Sequence, residues 1–331
     1  MRNATTVPPS GKTAPGNAAK GLNRDKLKKF LLGTRDKNGF VKTAAIYALL
    51  ICIGFIYLYP VLYMVSASFM TLDDLLDSSI QWIPSSFSLA NYRQAGQSMD
   101  FWQSLLESIM IAGLPTLCSL VSCSVIGYGL ARFKFRGRGL IIGIIILMFV
   151  LPSQITMIPT YVLYSDFGLL GSLWSFILPA LCGMGLNAPI FILIFWQFFR
   201  TVPQALIEAA KIDGAGYFKS FFSISLPSAA PAFLTVALFS FVWYWNESYL
   251  TELYVHGVMT DYGLTTLIIQ LDNFASNYSS YATTASSAVT SLNESIKMAG
   301  TLLSVLPLLI MYFVLQRYFV ESIDRTGITG E

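Results

Sequence analysis

Few residues of this 331-residue chain have the type and spacing that covalent chemistry requires. "SGKT" at Ser10 to Thr13 carries the end of a phosphate-binding loop. That loop needs glycine five positions ahead of its Gly–Lys pair, and position 6 is Thr. His256 is the only histidine, which removes histidine-based catalytic and metal sets. Cys52, Cys118, Cys123 and Cys182 lie in apolar runs and form no Cys-x-x-Cys pair, so they read as small hydrophobes with no disulfide and no metal. Glu247 follows "FVWYWN" and is expected to cap a helix or to pair with Lys297. No catalytic residue and no bound cofactor are expected. What stands out is "EAAKIDGAG", Glu208 to Gly216, a partly charged stretch between two strongly apolar ones.

Thr201 and Gln204 have capping-box spacing, and Pro203 suits a first helical turn. Val202, Ala205, Leu206, Ala209 and Ile212 then repeat at helical spacing, leaving Gln204, Glu208 and Lys211 to the polar side. Gly214 falls where a left-handed residue would turn the chain sharply. A second short helix is expected from Gly216 to about Ser223, before "ISLP" leads into the next apolar run. Ala209, Ala210, Gly214 and Ala215 are small enough for another protein to approach closely.

The elements around this stretch follow from charge. The chain is 54% hydrophobic and only 12% charged, about half the charge of an ordinary soluble domain. Thr43 to Leu72, Ser108 to Ala131, Gly139 to Ser165, Phe167 to Phe199, Ser220 to Asn246 and Met298 to Gln316 contain no charged residue, and each runs to at least 19 residues. A helix needs about 20 apolar residues to cross a membrane, so six spans are expected. Asn273 to Asn293 is also free of charge, but "SNYSSYATTASSAVTS" is too polar for hydrocarbon. Placing alternate connections on opposite sides puts all but Arg93 and Lys297 of the 21 basic residues on one side, with both termini. That side is the cytoplasm by the positive-inside rule. Residues 1–42 form a basic tail without the apolar core of a cleavable signal. Its cluster Arg24, Lys26, Lys28 and Lys29 suits anionic lipid or a solvated tail, and the net charge of +3 says little about nucleic acid, for which no partner is expected. The six-span domain covers 43–320, with a cytoplasmic loop at 200–228 and an outer connection at 252–297. A charged tail follows at 321–331. The fold class is an all-α, multi-pass membrane protein with a cytoplasmic helix between spans four and five.

Glu208-Ala209-Ala210, then Gly214, Ile224 and Leu226-Pro227, match the pattern E-A-A-x3-G-x9-I-x-L-P. This resembles the coupling loop of permease subunits of bacterial ATP-binding-cassette importers. "YPVLYMVSASFM", "WIPSSFSLANY", "GYGLARFKFRGRG" (Gly127 to Gly139), "LPSQITMIPTY" and "WQFFRTVPQALIEAAKIDGAG" look like the carbohydrate branch, near the second permease subunit of maltose-type systems. The connection from Glu252 to Lys297 is longer, and the tail "ESIDRTGITG" more charged, than that branch usually shows.

The resemblance implies a bacterial inner-membrane permease. Its partners would be a second, related permease, two ATPase subunits that carry ATP and Mg, and an extracytoplasmic sugar-binding protein. Glu208, Ala209, Ala210, Lys211, Asp213, Gly214, Ile224, Leu226 and Pro227 would plug into an ATPase. The cargo would be a disaccharide or oligosaccharide, and the long outer connection would reach toward the binding protein. Gln154, Asn187, Trp245 and Asn246 have the amide and aromatic character of a sugar path. The apolar patch "LTTLIIQL" at Leu264 to Leu271 needs a partner or the membrane surface, and Asn273 to Asn293 could be a disordered insert. The rival from another class, a self-sufficient secondary transporter of small polar solutes, would need ionisable groups within its spans and internal repeats. The spans contain no central ionisable group and the chain shows no repeat.

Overall fold

The structure is a computed structural model that describes residues 33–34, 37–80, 82–256, 264–284 and 291–327. The "SGKT" stretch, the basic cluster at 24–29 and residues 328–331 of the charged tail lie outside these residues. The chain forms two compact units, Met1–Tyr63 and Met64–Glu331. In the first, two-residue strands β1 (Gly33–Thr34) and β2 (Lys37–Asn38) pair antiparallel, and helix α1 (Phe40–Ser68) follows. Its last turn falls in the second unit.

The second unit is helical. Outside the apolar runs lie α2 (Leu72–Leu76) and α3 (Ala90–Ser98). A single long helix, α4 (Phe101–Arg132), comes next, followed by α5 (Arg138–Val150), α6 (Ser153–Asp166) and α7 (Trp174–Leu181). Then come α8 (Ala188–Thr201), α9 (Gln204–Ile212), α10 (Tyr217–Ser228) and α11 (Ala230–Trp245). The short α12 (Tyr249–Thr251) runs on as a π-turn, and α13 (Leu267–Asp272), α14 (Phe274–Thr284) and α15 (Glu294–Gly327) complete the order.

Only three of the six expected spans are continuous helices long and apolar enough to cross a membrane: α1, α4 and α15 up to Arg317. The other three are interrupted. α5 and α6 meet at 101° and α10 and α11 at 75°. The fourth apolar run breaks into α7 and α8, and α8 meets α9 at 71°. Proline explains two of the corners. Pro152 caps α6 and biases Leu151 toward extended backbone, at ψ 126°. Pro231 lies in the first turn of α11, where its missing N–H does no harm. The break in run four comes from Gly183, left-handed at φ 72°, and Asn187, left-handed at φ 55°. The Met184 amide donates to the Pro179 carbonyl (2.8 Å) and that of Gly183 to Ala180 (3.2 Å), the two bonds of a Schellman cap.

The freed backbone groups of this break are taken up by side chains from neighbouring helices. Ser122 Oγ donates to the Ala180 carbonyl (2.5 Å), and the Leu186 amide donates to the Tyr244 hydroxyl (2.9 Å). In the hydrocarbon region such groups need protein partners, since water is not available.

α4 organises the unit. Its buried face is built of small residues, Ser104, Ser108, Ala112, Ser119, Ser122, Cys123 and Gly127 among them. Between membrane helices small residues let backbones approach, and dispersion and hydrogen bonding replace the hydrophobic drive. α8 and α11 pack most extensively on it, and Thr116 Oγ1 donates to Ser240 Oγ of α11 (3.1 Å). One core cluster joins Cys123 and Tyr128 of α4 to Phe191, Phe195 and Phe199 of α8 and to Val236 of α11. The other joins Ala112 to Phe176, Tyr244, Trp245, Leu267 and Ile296.

The connection 252–297 is largely structured, which corrects two expectations. The patch "LTTLIIQL" is covered by the chain itself: Leu267 and Ile269 are buried, and α13 packs on α4 and α15. Within Asn273 to Asn293, residues 274–284 form helix α14 with Phe274 and Tyr278 buried, which overturns the disordered insert for those residues, while 285–290 lie outside the described residues. Its serines and threonines bond back to carbonyls of the preceding turn (Thr283 Oγ1 to Ser279 O, 2.8 Å). Tyr278 and Tyr281 donate to Gln94 and Gln97 of α3 at 2.8 and 2.6 Å.

Two substitutions test this packing. A Cβ at Gly127 would lie 2.6 Å from Phe195 Cβ and 2.9 Å from the Trp196 amide, whereas one at Gly129 would meet nothing within 4 Å. Gly127→Val should therefore destabilise by about 1–3 kcal/mol and lower the unfolding temperature in detergent, with Gly129→Val much nearer the unaltered chain. Tyr244→Phe orphans the half-buried Leu186 amide and should cost about 1–3 kcal/mol in the same measurement.

Candidate functional site

The arms of the loop centred on "EAAKIDGAG" are α9 and α10. The Thr201–Gln204 capping box does not form: Thr201 ends α8 and its hydroxyl donates to the Phe198 carbonyl (2.7 Å). Pro203 takes the cap position of α9 without a side-chain bond. Its ring biases Val202 toward extended backbone, and Val202 adopts ψ 123°. This ends α8 at Thr201 and starts α9 at Gln204, so Thr201 is not at the cap position of α9. The far end of α9 follows its sequence reading. Gly214 is left-handed at φ 79°, and amide bonds from Gly214 to Lys211 (3.0 Å) and from Ala215 to Ala210 (2.8 Å) make a second Schellman cap. The returning arm is longer than expected, reaching Ser228 through a π-turn at Phe221–Ser225.

The apolar stripe does not mark the face that packs. Of Val202, Ala205, Leu206, Ala209 and Ile212 only Val202 is buried, and Ile207 is the residue by which α9 anchors. Glu208, Ala209, Lys211, Asp213, Gly214 and Pro227 are exposed, and Ala210, Ile224 and Leu226 half-buried. Ile212 (86% exposed) and Phe218 (83%) stand clear of the rest of the chain. The Lys211 ammonium sits 5.0 Å from the centre of the Tyr217 ring and ties one arm to the other.

The loop is held from behind by the end of α4. Arg132 Nη2 donates to the Val202 carbonyl (2.8 Å) and Nη1 to Gln204 Oε1 (3.2 Å), across the corner between α8 and α9. The Tyr128 ring lies 5.3 Å from Phe199 and 4.8 Å from Phe221, and Phe133 lies 5.3 Å from Tyr217. The sequence reading used Arg132 only as one positive charge among many. Its position at the end of an apolar run, in "LARF", was the available signal.

A second feature is an open cavity of about 700 Å³, walled by α6, α7, the break before α8 and the segment after α11. Thr156, Thr160, Tyr164, Asn187, Glu247 and Tyr254 supply its polar wall. Of the four residues suggested for a sugar path, Asn187 is on this wall. Gln154 and Asn246 are exposed and not part of it, and Trp245 is buried in the core beside Phe241. Asn246 Nδ2 donates to the carbonyl of Val242 (2.8 Å). Glu247 Oε1 accepts from the Leu250 amide (2.9 Å), the capping role expected of it. The phenol of Tyr254 is pushed above its ordinary pKa by burial and by the neighbouring Glu247 carboxylate. Thr156, Thr160 and the tyrosines escaped the sequence reading, which looked for amides and tryptophan.

Comparison with known proteins gives these features a family. Residues 124–325 match the family described as the binding-protein-dependent transport system inner membrane component. The polygalacturonan/rhamnogalacturonan transport system permease protein YtcP of Bacillus subtilis is 30% identical, over 86% of this chain and 97% of its own length. The arabinooligosaccharides transport system permease protein AraQ of Halalkalibacterium halodurans is 28% identical over 87% of this chain and 99% of its own. A chain from the crystal structure of a bacterial ABC transporter involved in import of the acidic polysaccharide alginate shares the fold. Its TM-score is 0.69 at 21% identity, covering 84% of this chain and 96% of that one. Both the loop and the cavity lie within or beside the matched segment, and the chain belongs to the family of binding-protein-dependent transport system inner membrane components.

Proposed function

We propose that this protein is the permease subunit of an ATP-binding-cassette importer, and that its loop α9–Gly214–α10 is the plug that joins it to an ATPase subunit. The observation that carries the reading is the exposed turn around left-handed Gly214. It presents Glu208, Ala209, Lys211, Ile212 and Phe218 while Ile207, Val202 and Arg132 hold its base. Small and apolar side chains on a rigid base suit a close protein contact, for which a flexible tether would lose ordering entropy.

On this reading the chain is non-catalytic, and ATP and Mg belong to two partner ATPases. A second permease completes the pore, and an extracytoplasmic binding protein delivers the cargo. The docking loop and both termini are then cytoplasmic, and α13 and α14 lie on the outer side, where a binding protein would meet them. The names of YtcP and AraQ both specify saccharides, which supports a saccharide cargo. The threonines, tyrosines and Asn187 of the cavity suit hydroxyl recognition, consistent with a disaccharide or oligosaccharide. Alternating access would follow from tighter binding of sugar to one of two pore states.

Reconstitution with the partner subunits in lipid vesicles tests this, using labelled arabinotriose and digalacturonate as probes. The chain alone should give no ATP-dependent flux of either. A Cβ at Gly214 meets nothing of this chain within 4 Å, so within the chain Gly214→Val acts through backbone strain, on the order of 1–2 kcal/mol, and it also thickens the surface that must dock. It should reduce ATPase co-purification and uptake by about tenfold, whereas Gly214→Asn, which tolerates a left-handed conformation, should retain most of both. Glu208→Lys should weaken ATPase attachment by reversing an exposed charge. Normal attachment in both Gly214→Val and Glu208→Lys would refute the plug.

A further inference from the structure

α4 is a single unbroken helix of 32 residues, about 48 Å from end to end. The route from the docking loop through α8 turns by 71°, and the route through α11 turns by 75°. α4 makes side-chain bonds at both its ends. At one, the Arg132 guanidinium bridges the Val202 carbonyl and Gln204 Oε1 across the α8–α9 corner. At the other, Glu107 Oε2 accepts from the Thr265 amide (2.6 Å) and Ser108 Oγ from the Leu267 amide (2.9 Å). Gln103 Nε2 donates to the remaining Glu107 oxygen at 3.0 Å and fixes its orientation. Glu107 is buried, so its carboxylate has protein groups in place of water.

The two acceptors of Arg132 lie on either side of Pro203, at the end of α8 and the start of α9. Val202 follows the last residue of α8, and Gln204 is the first of α9. A planar guanidinium can hold two acceptors at a fixed mutual angle, which the single ammonium of lysine does not. The bond pair therefore sets the corner angle as well as capping a free carbonyl.

We propose that Arg132 is a positioning residue of the transport cycle. It locks the docking-loop corner to α4, and α4 passes displacement of that corner to Thr265–Leu267 at its far end. The proposal rests on the plug reading above, and it adds the element through which the loop acts. The linker is one continuous helix, with Pro115 inside it, bonded at both ends. Movement of the ATPases would thereby reach the segment leading into α13 with no need to pass through any of the bent helix pairs.

The test uses the assembled importer in lipid nanodiscs, with hydrogen exchange read at the Thr265 and Leu267 amides. Nucleotide-free complex is compared with complex trapped by ATP and vanadate. In the unaltered complex, exchange at these two amides should differ by about tenfold between the states, within the usual range of allosteric coupling. Arg132→Gln should shrink the difference to less than about twofold while the ATPases still co-purify. Arg132→Lys, which retains the charge and one bond, should fall between. Glu107→Gln should abolish the difference from the other end, and Arg132→Gln with Glu107→Gln together should do no more than either alone, as for two contacts on one path. A full nucleotide-dependent change in Arg132→Gln overturns the proposal, as does the absence of any change in the unaltered complex. Loss of assembly in both Arg132→Gln and Arg132→Lys assigns the residue a purely structural role and overturns it too. If the unaltered chain binds no ATPase, the plug reading itself falls, a result distinct from each of these.

Discussion

Inside a membrane a backbone amide or carbonyl without a partner has no water to fall back on, and the rest of this structure depends on how that demand is met. Continuous helices meet it largely internally, as α1, α4 and α15 do apart from the one ladder bond that each loses at its interior proline, Pro60, Pro115 or Pro307. The other apolar runs bend, and each bend frees groups that must find partners elsewhere. At the break before α8, Ser122 takes the Ala180 carbonyl and Tyr244 the Leu186 amide. The α8–α9 corner depends on Arg132, which takes the Val202 carbonyl. These side chains all come from helices that pack against the break. An interrupted span is therefore stable only within the assembled bundle, and the bends sit around the cavity and at the loop α9–Gly214–α10.

This explains the composition of α4. It carries a stripe of serines with glycine and alanine, where a soluble core helix would carry leucine. Small side chains bring α8 and α11 close, and the hydroxyls supply donors and acceptors just where neighbouring backbones lack them. Gly127 allows the closest approach, facing the Phe195–Trp196 backbone. The same helix ends in two ionic side chains, Glu107 and Arg132, each placed at the margin of the apolar run and each bonded to a connecting segment.

Much of this was legible in the residues. Charge-free runs locate the membrane segments, because charge is the costliest thing to bury in hydrocarbon. Gly214 announced a left-handed cap, because few other residues adopt φ 79° cheaply. The corners were less legible. Hydropathy averages over about 19 residues and cannot separate one straight helix from two bent ones, so Pro152 and Asn187 were hidden inside apolar runs. The capping box at Thr201 failed although its spacing was right, because Thr201 is the last residue of α8 and α9 begins only after Pro203, which takes the cap position. Glu107 was passed over because it lies one residue outside the run that begins at Ser108. Trp245 had the right chemistry for a sugar platform, yet helical phase turned it into the core beside Phe241. Residue type limits what a side chain could do. Its neighbours in space decide whether it is in a position to do so.

The docking loop also bears on a simpler account of "EAAKIDGAG", that of an amphipathic helix resting on lipid headgroups. Such a helix buries one apolar face in the interface and turns its charges the other way. α9 taken alone has that form: Ala205, Leu206, Ala209 and Ile212 make an exposed apolar stripe, with Gln204, Glu208 and Lys211 on the other side. The distinction lies in what surrounds it, beginning with Ile207, which anchors α9 to the rest of the chain. The Schellman cap at Gly214 turns the chain back at once, and α10 adds Phe218 and Phe222 to the exposed surface (83% and 61%). A surface that mixes two phenylalanines, an isoleucine and both signs of charge around small alanines suits a cleft of complementary shape better than a plane of headgroups. Arg132 and the Tyr128–Phe221 contact brace that surface against the long helix. A lipid-resting helix would gain nothing from such bracing, whereas a plug that must transmit force requires it.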